Sequence, residues 1–172
     1  MDKIKQQIII SGVGGQGVVF ATRVLAEAAM EAGFNVLTSE NHGMAMRGGT
    51  VVSHVKVGAF KSPLIRRGQA DIGLFLNPIN MDVHRDLMKG EGRIFVNTPS
   101  PGKYAHCDAT GLAKEAGGVV VANLVLLGYT VQTGNLFCSA DLMKNIIKRI
   151  SQPKQLDLNL KGFRLGLSAH SA

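Results

Sequence analysis

An α/β fold on a largely parallel sheet is predicted by three features of this sequence. Short apolar runs alternate with stretches of helical periodicity. The first run, Ile8-Ile9-Ile10, passes directly into a glycine-rich turn, GVGGQG. Most of the strand-like runs are continuously apolar, as in strands covered on both faces. At 172 residues the chain suits one domain spanning residues 1–172. Its 45% hydrophobic and 18% charged residues fit a compact globular protein.

The elements follow in order. Gln7 to Ser11 reads as a buried strand. A helix starts near Gly15, with Val18, Thr22, Leu25 and Ala29 on one stripe, and Gly33 closes it as a left-handed cap. Asn35 to Ser39 is the next strand, giving a strand, turn, helix and strand unit with a right-handed crossover expected. The stretch SENHGMAMRGGT reads as an irregular loop because of its glycines. Thr50 to Val57 alternates in its second half and reads as a strand with one exposed face. Asp71 to Leu76 and Arg93 to Asn97 are two further buried strands, separated by a helical stretch from Pro78. Asp108 to Thr110 can start a helix running to Ala116. Val119 to Gly128 fits a strand or a buried helix, since periodicity does not separate them. Ala140 to Ile150 is a basic amphipathic helix, and Leu156, Leu160, Phe163 and Leu167 recur at helical spacing. The predicted whole is a three-layer Rossmann-like domain with a glycine-rich first βα turn.

The net charge of +7 is spread out, and two tyrosines offer little for base stacking, so nucleic acid is not the expected partner. The excess sits in His54 to Gly68, with Lys56, Lys61, Arg66 and Arg67 and no acid, and in Asp141 to Arg164. Such segments are solvated faces or contacts for an acidic partner or anionic ligand. Cys107 and Cys138 form no CxxC pair and read as small hydrophobes, so neither a zinc ribbon nor a cluster held by this chain alone is expected. His54 reads as an exposed or satisfied strand histidine, and His84, His106 and His170 show no metal-ligand spacing. Met44 and Met46 suit packing against a core or partner. No run is long enough to span a bilayer and the amino terminus lacks a signal-peptide pattern, so a cytoplasmic protein is expected.

Gly12, Gly14 and Gly17 match GxGxxG after a strand and at a helix start. Glycines there permit a tight turn, and free amides with the helix dipole favour an anion. Glu40 stands where a dinucleotide enzyme carries its ribose-binding acid. Against this, the turn reads GVGGQG with Gln16 at the helix start. Glu40 also runs into a second loop at the same sheet edge, where Gln16, His42 and Arg47 could face one ligand or neighbour. Arg47, followed by two glycines, can present its planar fork to a carboxylate or phosphate.

GVGGQGVVFATRVLAEAAMEAGFNV, followed by SENHGMAMRGGTVVSHVKVG, resembles the gamma subunit or domain of the 2-oxoacid:ferredoxin oxidoreductases, most closely the small subunit of the indolepyruvate type. NLKGFRLGL, Asn159 to Leu167, is similar to that family's last helix, so the likeness covers nearly the whole chain. Gly12, Gly14, Gly15, Gln16 and Gly17 match its first motif, Arg47, Gly48 and Gly49 its RGG, and His42-Gly43 the indolepyruvate form of the loop. The resemblance implies a non-catalytic subunit, inactive alone, docked on catalytic alpha- and beta-type chains. Those chains hold thiamine diphosphate and the iron–sulfur clusters that lead to ferredoxin, and coenzyme A is enclosed near the gamma portion. The matched residues form the implied site, an anion or coenzyme A contact or a subunit interface. Two other readings stay open: a freestanding nicotinamide dinucleotide reductase, and a pure interaction module. An isolated copy is also expected to self-associate through its open docking face.

Overall fold

The computed structural model describes residues 4–43 and 49–170. Its strands are β1 Gln6–Val13, β2 Val36–His42, β3 Thr50–Val57, β4 Ala70–Phe75, β5 Met88–Asn97 and β6 Ala105–Cys107. Its helices are α1 Val18–Glu31, α2 Asn80–His84, α3 Ala109–Ala116, α4 Ala122–Gln132, α5 Ala140–Ile150 and α6 Leu156–Ser168. The strands form one sheet in the order β2-β3-β1-β4-β5-β6. β1, β4, β5 and β6 pair in parallel, while β3 runs antiparallel to both β1 and β2. The sheet is therefore mostly parallel with one reversed strand. β1 and β2 run the same way, but β3 lies between them, so the α1 crossover spans one intervening strand.

Alternation along β1 divides the core. Ile8 and Ile10 point to the face covered by α1, α3, α4, α5 and α6, where the larger apolar cluster lies. Ile9 points to the other face and packs with Val52, Ile65, Phe75, Met88, Ile94 and Val96. That second face is thinly covered, by α2, the 3-10 turn Arg85–Leu87 and the coil between β3 and β4. The coil folds back far enough for the Ile65 N–H to reach His54 Nδ1 at 3.3 Å. β3 is consequently buried on both faces rather than half exposed.

Other boundaries also shift. β2 continues through Ser39 to His42, so part of the stretch expected to be an irregular loop is strand. The helix expected from Pro78 spans only Asn80–His84 before the 3-10 turn, because β5 already starts at Met88. β6 is a short edge strand that periodicity did not reveal. Val119–Val121 is a 3-10 turn leading into α4, in which Ala122 through Val131 are all buried. Gly128 and Gly166 explain that burial, since a methyl group at either would meet the backbone of the opposite helix. Gly33 takes φ +80° just past α1, the left-handed cap expected for it. Asp108 Oδ1 caps α3 by accepting from the Gly111 N–H at 2.8 Å. Ser139 Oγ accepts from the Leu142 N–H at 3.3 Å and caps α5.

Candidate functional site: the carboxyl edge of the sheet

β1 ends at Val13 and α1 starts at Val18, which leaves Gly14 to Gly17 as the turn. Gly15 and Gly17 have φ of +93° and +76°, a region that side chains rarely adopt. The two sequence motifs meet here, because the Gly14 N–H donates to the Gly49 carbonyl at 2.9 Å. Gln16 folds inward. Its Oε1 accepts from the Val13 N–H at 2.7 Å and its Nε2 donates to the Leu76 carbonyl at 3.0 Å, tying the turn to the end of β4.

Three asparagines continue this arrangement. Asn80 Nδ2 donates to the Gly12 carbonyl at 3.0 Å, Asn123 Nδ2 to Gly17 at 2.9 Å and Asn97 Nδ2 to Leu76 at 2.9 Å. Asn97 also holds the start of α3, since its Oδ1 accepts from the Thr110 N–H at 3.1 Å. The carboxyl edge is thus closed by side-chain amides from α2, β5 and α4. Sequence reasoning singled out none of these asparagines. The one available signal was Asn123, a polar residue inside the otherwise apolar run Val119 to Val131.

Of the sequence-predicted residues, Gly14, Gly15, Gly17 and His42 come together around a cavity of about 390 Å³, walled by Val13, Val18, Val19 and Val51. Gly12 lies behind it against Val18, Gln16 and Leu76. Gln16 braces the turn from within and is not directed at a common ligand. Gly49 adjoins through its bond to Gly14. Arg47 and Gly48, with Met44 and Met46, lie outside the described residues.

This geometry does not suit a dinucleotide. The Gly14 and Gln16 amides, which a pyrophosphate would need, are bonded to Gly49 and Val13. Glu40 sits on β2, two strands from β1, or about 10 Å at ordinary strand spacing. Its carboxylate lies 3.7 Å from His42 Nε2 instead.

On the opposite face, a cleft of about 840 Å³ runs from His42 past His54 to Arg66, His84 and Asp86. His54 is 3% exposed, so it is neither an exposed nor a fully satisfied strand histidine; its Nε2 has no partner among the described residues. Its pKa is lowered, first by burial and then by His84 and Lys56. His84 Nδ1 lies 2.7 Å from Ser11 Oγ, and burial lowers its pKa as well. Both cysteines are held as thiols, with pKa values pushed up to about 12 by burial. Among the described residues, no group of three or more His, Cys, Asp or Glu side chains could hold a metal. None of the described helices is long and apolar enough to cross a membrane.

The comparisons with known proteins agree with this architecture. The family described as pyruvate ferredoxin/flavodoxin oxidoreductase matches residues 7–169. The indolepyruvate oxidoreductase subunit IorB of Pyrococcus horikoshii is 34% identical, with 94% of each chain covered. The pyruvate/ketoisovalerate oxidoreductases common subunit gamma of Thermococcus kodakarensis is 31% identical over 76% of this chain and 78% of its own. The crystal structure of a keto/oxoacid ferredoxin oxidoreductase gamma subunit from Geobacter sulfurreducens superposes with a TM-score of 0.76 at 29% identity, covering 95% of this chain and 96% of that one. A 2-oxoglutarate:ferredoxin oxidoreductase chain from Magnetococcus marinus shares the fold, with a TM-score of 0.77 at 20% identity, and this chain matches 32% of its length. With its glycine turn, reversed third strand and helical face in place, the chain belongs to the pyruvate ferredoxin/flavodoxin oxidoreductase family.

Proposed function

We propose that this chain is the small, non-catalytic subunit of a thiamine-dependent 2-oxoacid:ferredoxin oxidoreductase acting on indolepyruvate or a related aryl-pyruvate. The carboxyl edge carries this reading. Its glycine turn is closed by Gln16, Asn80, Asn97 and Asn123, yet Val19 beside it and Ile79 and Val83 on the α2 side stay 50%, 61% and 52% exposed. An edge bonded to itself but apolar outside suits protein contact better than cofactor capture. The IorB relative supports the substrate class.

In the assembled enzyme, thiamine diphosphate on the partner supplies the carbanion chemistry of decarboxylation, and clusters there take the electrons to ferredoxin. A 2-oxoacid and coenzyme A yield acyl-coenzyme A, carbon dioxide, one proton and two electrons. The thiols of buried Cys107 and half-buried Cys138, protonated at neutral pH, are no thiolate set for a cluster, which supports clusters on another chain. Residues 1–172 act as one domain in the cytoplasm. The loop bearing His42, Arg47, Gly48 and Gly49 meets the partner's active site beside Gly14, Gly15 and Gly17, near the coenzyme A.

Anaerobic pull-down of the tagged chain from its native extract tests this reading. A thiamine- and iron-bearing partner with indolepyruvate-dependent dye reduction is expected, with activity reduced at least about tenfold by Arg47→Ala, the loss of one charge-assisted contact. A lone chain retaining a nicotinamide dinucleotide would overturn it.

A further inference from the structure

The 840 Å³ cleft on the thinly covered face opens beside the docking edge, shares His42 and Val83 with it, and extends to His54 and Arg66, which have their own chemistry. Its volume falls within the range of about 300–1,000 Å³ typical of small-molecule sites. Val52, Leu64, Val83 and Leu87 supply apolar walls. Its polar lining includes strong donors. Because the Ile65 backbone N–H donates to His54 Nδ1, that nitrogen carries the lone pair and the neutral ring bears its proton on Nε2. This Nε2–H donor is buried without an acceptor among the described residues, a state that folded proteins rarely leave unfilled.

Cationic charge accompanies it. Arg66 lines the cleft, is exposed and has no ion pair among the described residues. Asp86, a carboxylate in the same wall, is taken by Arg67 Nε at 2.9 Å. His84 faces the cleft with its Nδ1 engaged by Ser11. Among the described residues, the walls thus combine one buried unpaired N–H, one free guanidinium and an apolar surface, with the one lining acid paired to Arg67.

We propose that this cleft binds a small oxyanion, a carboxylate or phosphate carried on an apolar body, with His54 Nε2–H and Arg66 as its donors. The apolar body lies against Leu64, whose side chain is about half exposed at the cleft wall. The proposal rests on the cleft alone and not on the subunit reading, since the isolated full-length chain contains every residue it needs.

Titration of the isolated chain with 3-phenylpropionate, phenyl phosphate and uncharged 3-phenylpropanamide, followed by NMR of the His54 ring, tests it. Saturable movement of the His54 resonance is expected with at least one anion, and at least about tenfold weaker binding of the amide, since one charge-assisted hydrogen bond is lost. The better anion identifies which oxyanion the site takes. Arg66→Gln, on the surface and away from the core, should weaken that anion about tenfold and leave the amide unchanged. His54→Gln, which keeps a donor near the Nε2 position, should weaken it less than His54→Phe, as read by calorimetry. Equal affinity for anion and amide, no response to either anion, or indifference to Arg66→Gln would overturn the proposal.

Discussion

At the scale of single residues, the glycine motif was legible but its purpose was not. Spacing alone is compatible with a phosphate-binding turn. What decides is where the side chains around it go: the Gln16 amide bonds Val13 and Leu76, and the Asn123 amide donates to the Gly17 carbonyl. The turn's glycines also differ from one another. Gly15 has positive φ but open space around its Cβ position, whereas Gly17 has positive φ and a Cβ position already occupied by the Asn123 amide. Gly15→Ala should therefore cost only the left-handed backbone penalty, about 1–2 kcal/mol. Gly17→Ala adds a steric clash and the displacement of a buried hydrogen bond, for a total of about 3 kcal/mol or more. Urea unfolding of the two variants measures the difference. Equal midpoints would mean that Asn123 yields freely and does not fix the turn. His54 shows the opposite failure of sequence reading: alternation in β3 put it on an exposed face, and only the coil folding back through Ile65 buries it.

At the scale of elements, the strands and helices were largely legible, while strand direction and helix burial depended on neighbours. β3 runs antiparallel to β2 because the chain between His42 and Thr50 is too short for the crossover of about a dozen residues that a parallel neighbour needs. That length was visible in the sequence, but reading the strand as ending at Ser39 hid it. Val119 to Gly128 was ambiguous for a different reason. A helix buried on all sides has no polar stripe, and what marks it as a helix is close approach of α6 through Gly128, Gly162 and Gly166. Gly166→Ala should separate these two helices and cost about 1–3 kcal/mol, as overpacking does. Gly102→Ala, with nothing within 4 Å of its Cβ position and no positive φ, should lie within about 0.5 kcal/mol of the parent. A chevron or equilibrium denaturation series would check both, and comparable losses at the two sites would refute close α4/α6 packing as the reason for these glycines.

The division of labour across the whole molecule follows from its lopsided layers. Five helices bury one sheet face over a continuous apolar cluster, so this half acts as the scaffold. The other face has a smaller cluster under α2 and coil, and there the buried polar groups His54, Ser11 and Lys56 and the half-buried His84 collect. Periodicity showed the scaffold, because its stripes are local; it could not show the thin face, which is built by a coil brought back over β3 and by side chains from β1, β3 and α2. That face makes stability depend on pH. Burial lowers the pKa of both His54 and His84 below the ordinary value near 6.5, with His84 and Lys56 adding to the effect on His54 and Asp86 partly opposing it on His84. The unfolded chain therefore binds more protons than the folded one once pH falls below about 6.5, so stability is full above that pH and declines beneath it until the folded histidines themselves titrate. Thermal unfolding between pH 7.5 and 5.5, a window above the titration of ordinary carboxylates, should show a falling Tm. The double variant His54→Gln, His84→Gln should start from a lower Tm but show a much flatter slope over the same window. A parent protein whose Tm is constant from pH 7.5 to 5.5, or a double variant with an undiminished slope, would remove His54 and His84 as the source of the pH dependence.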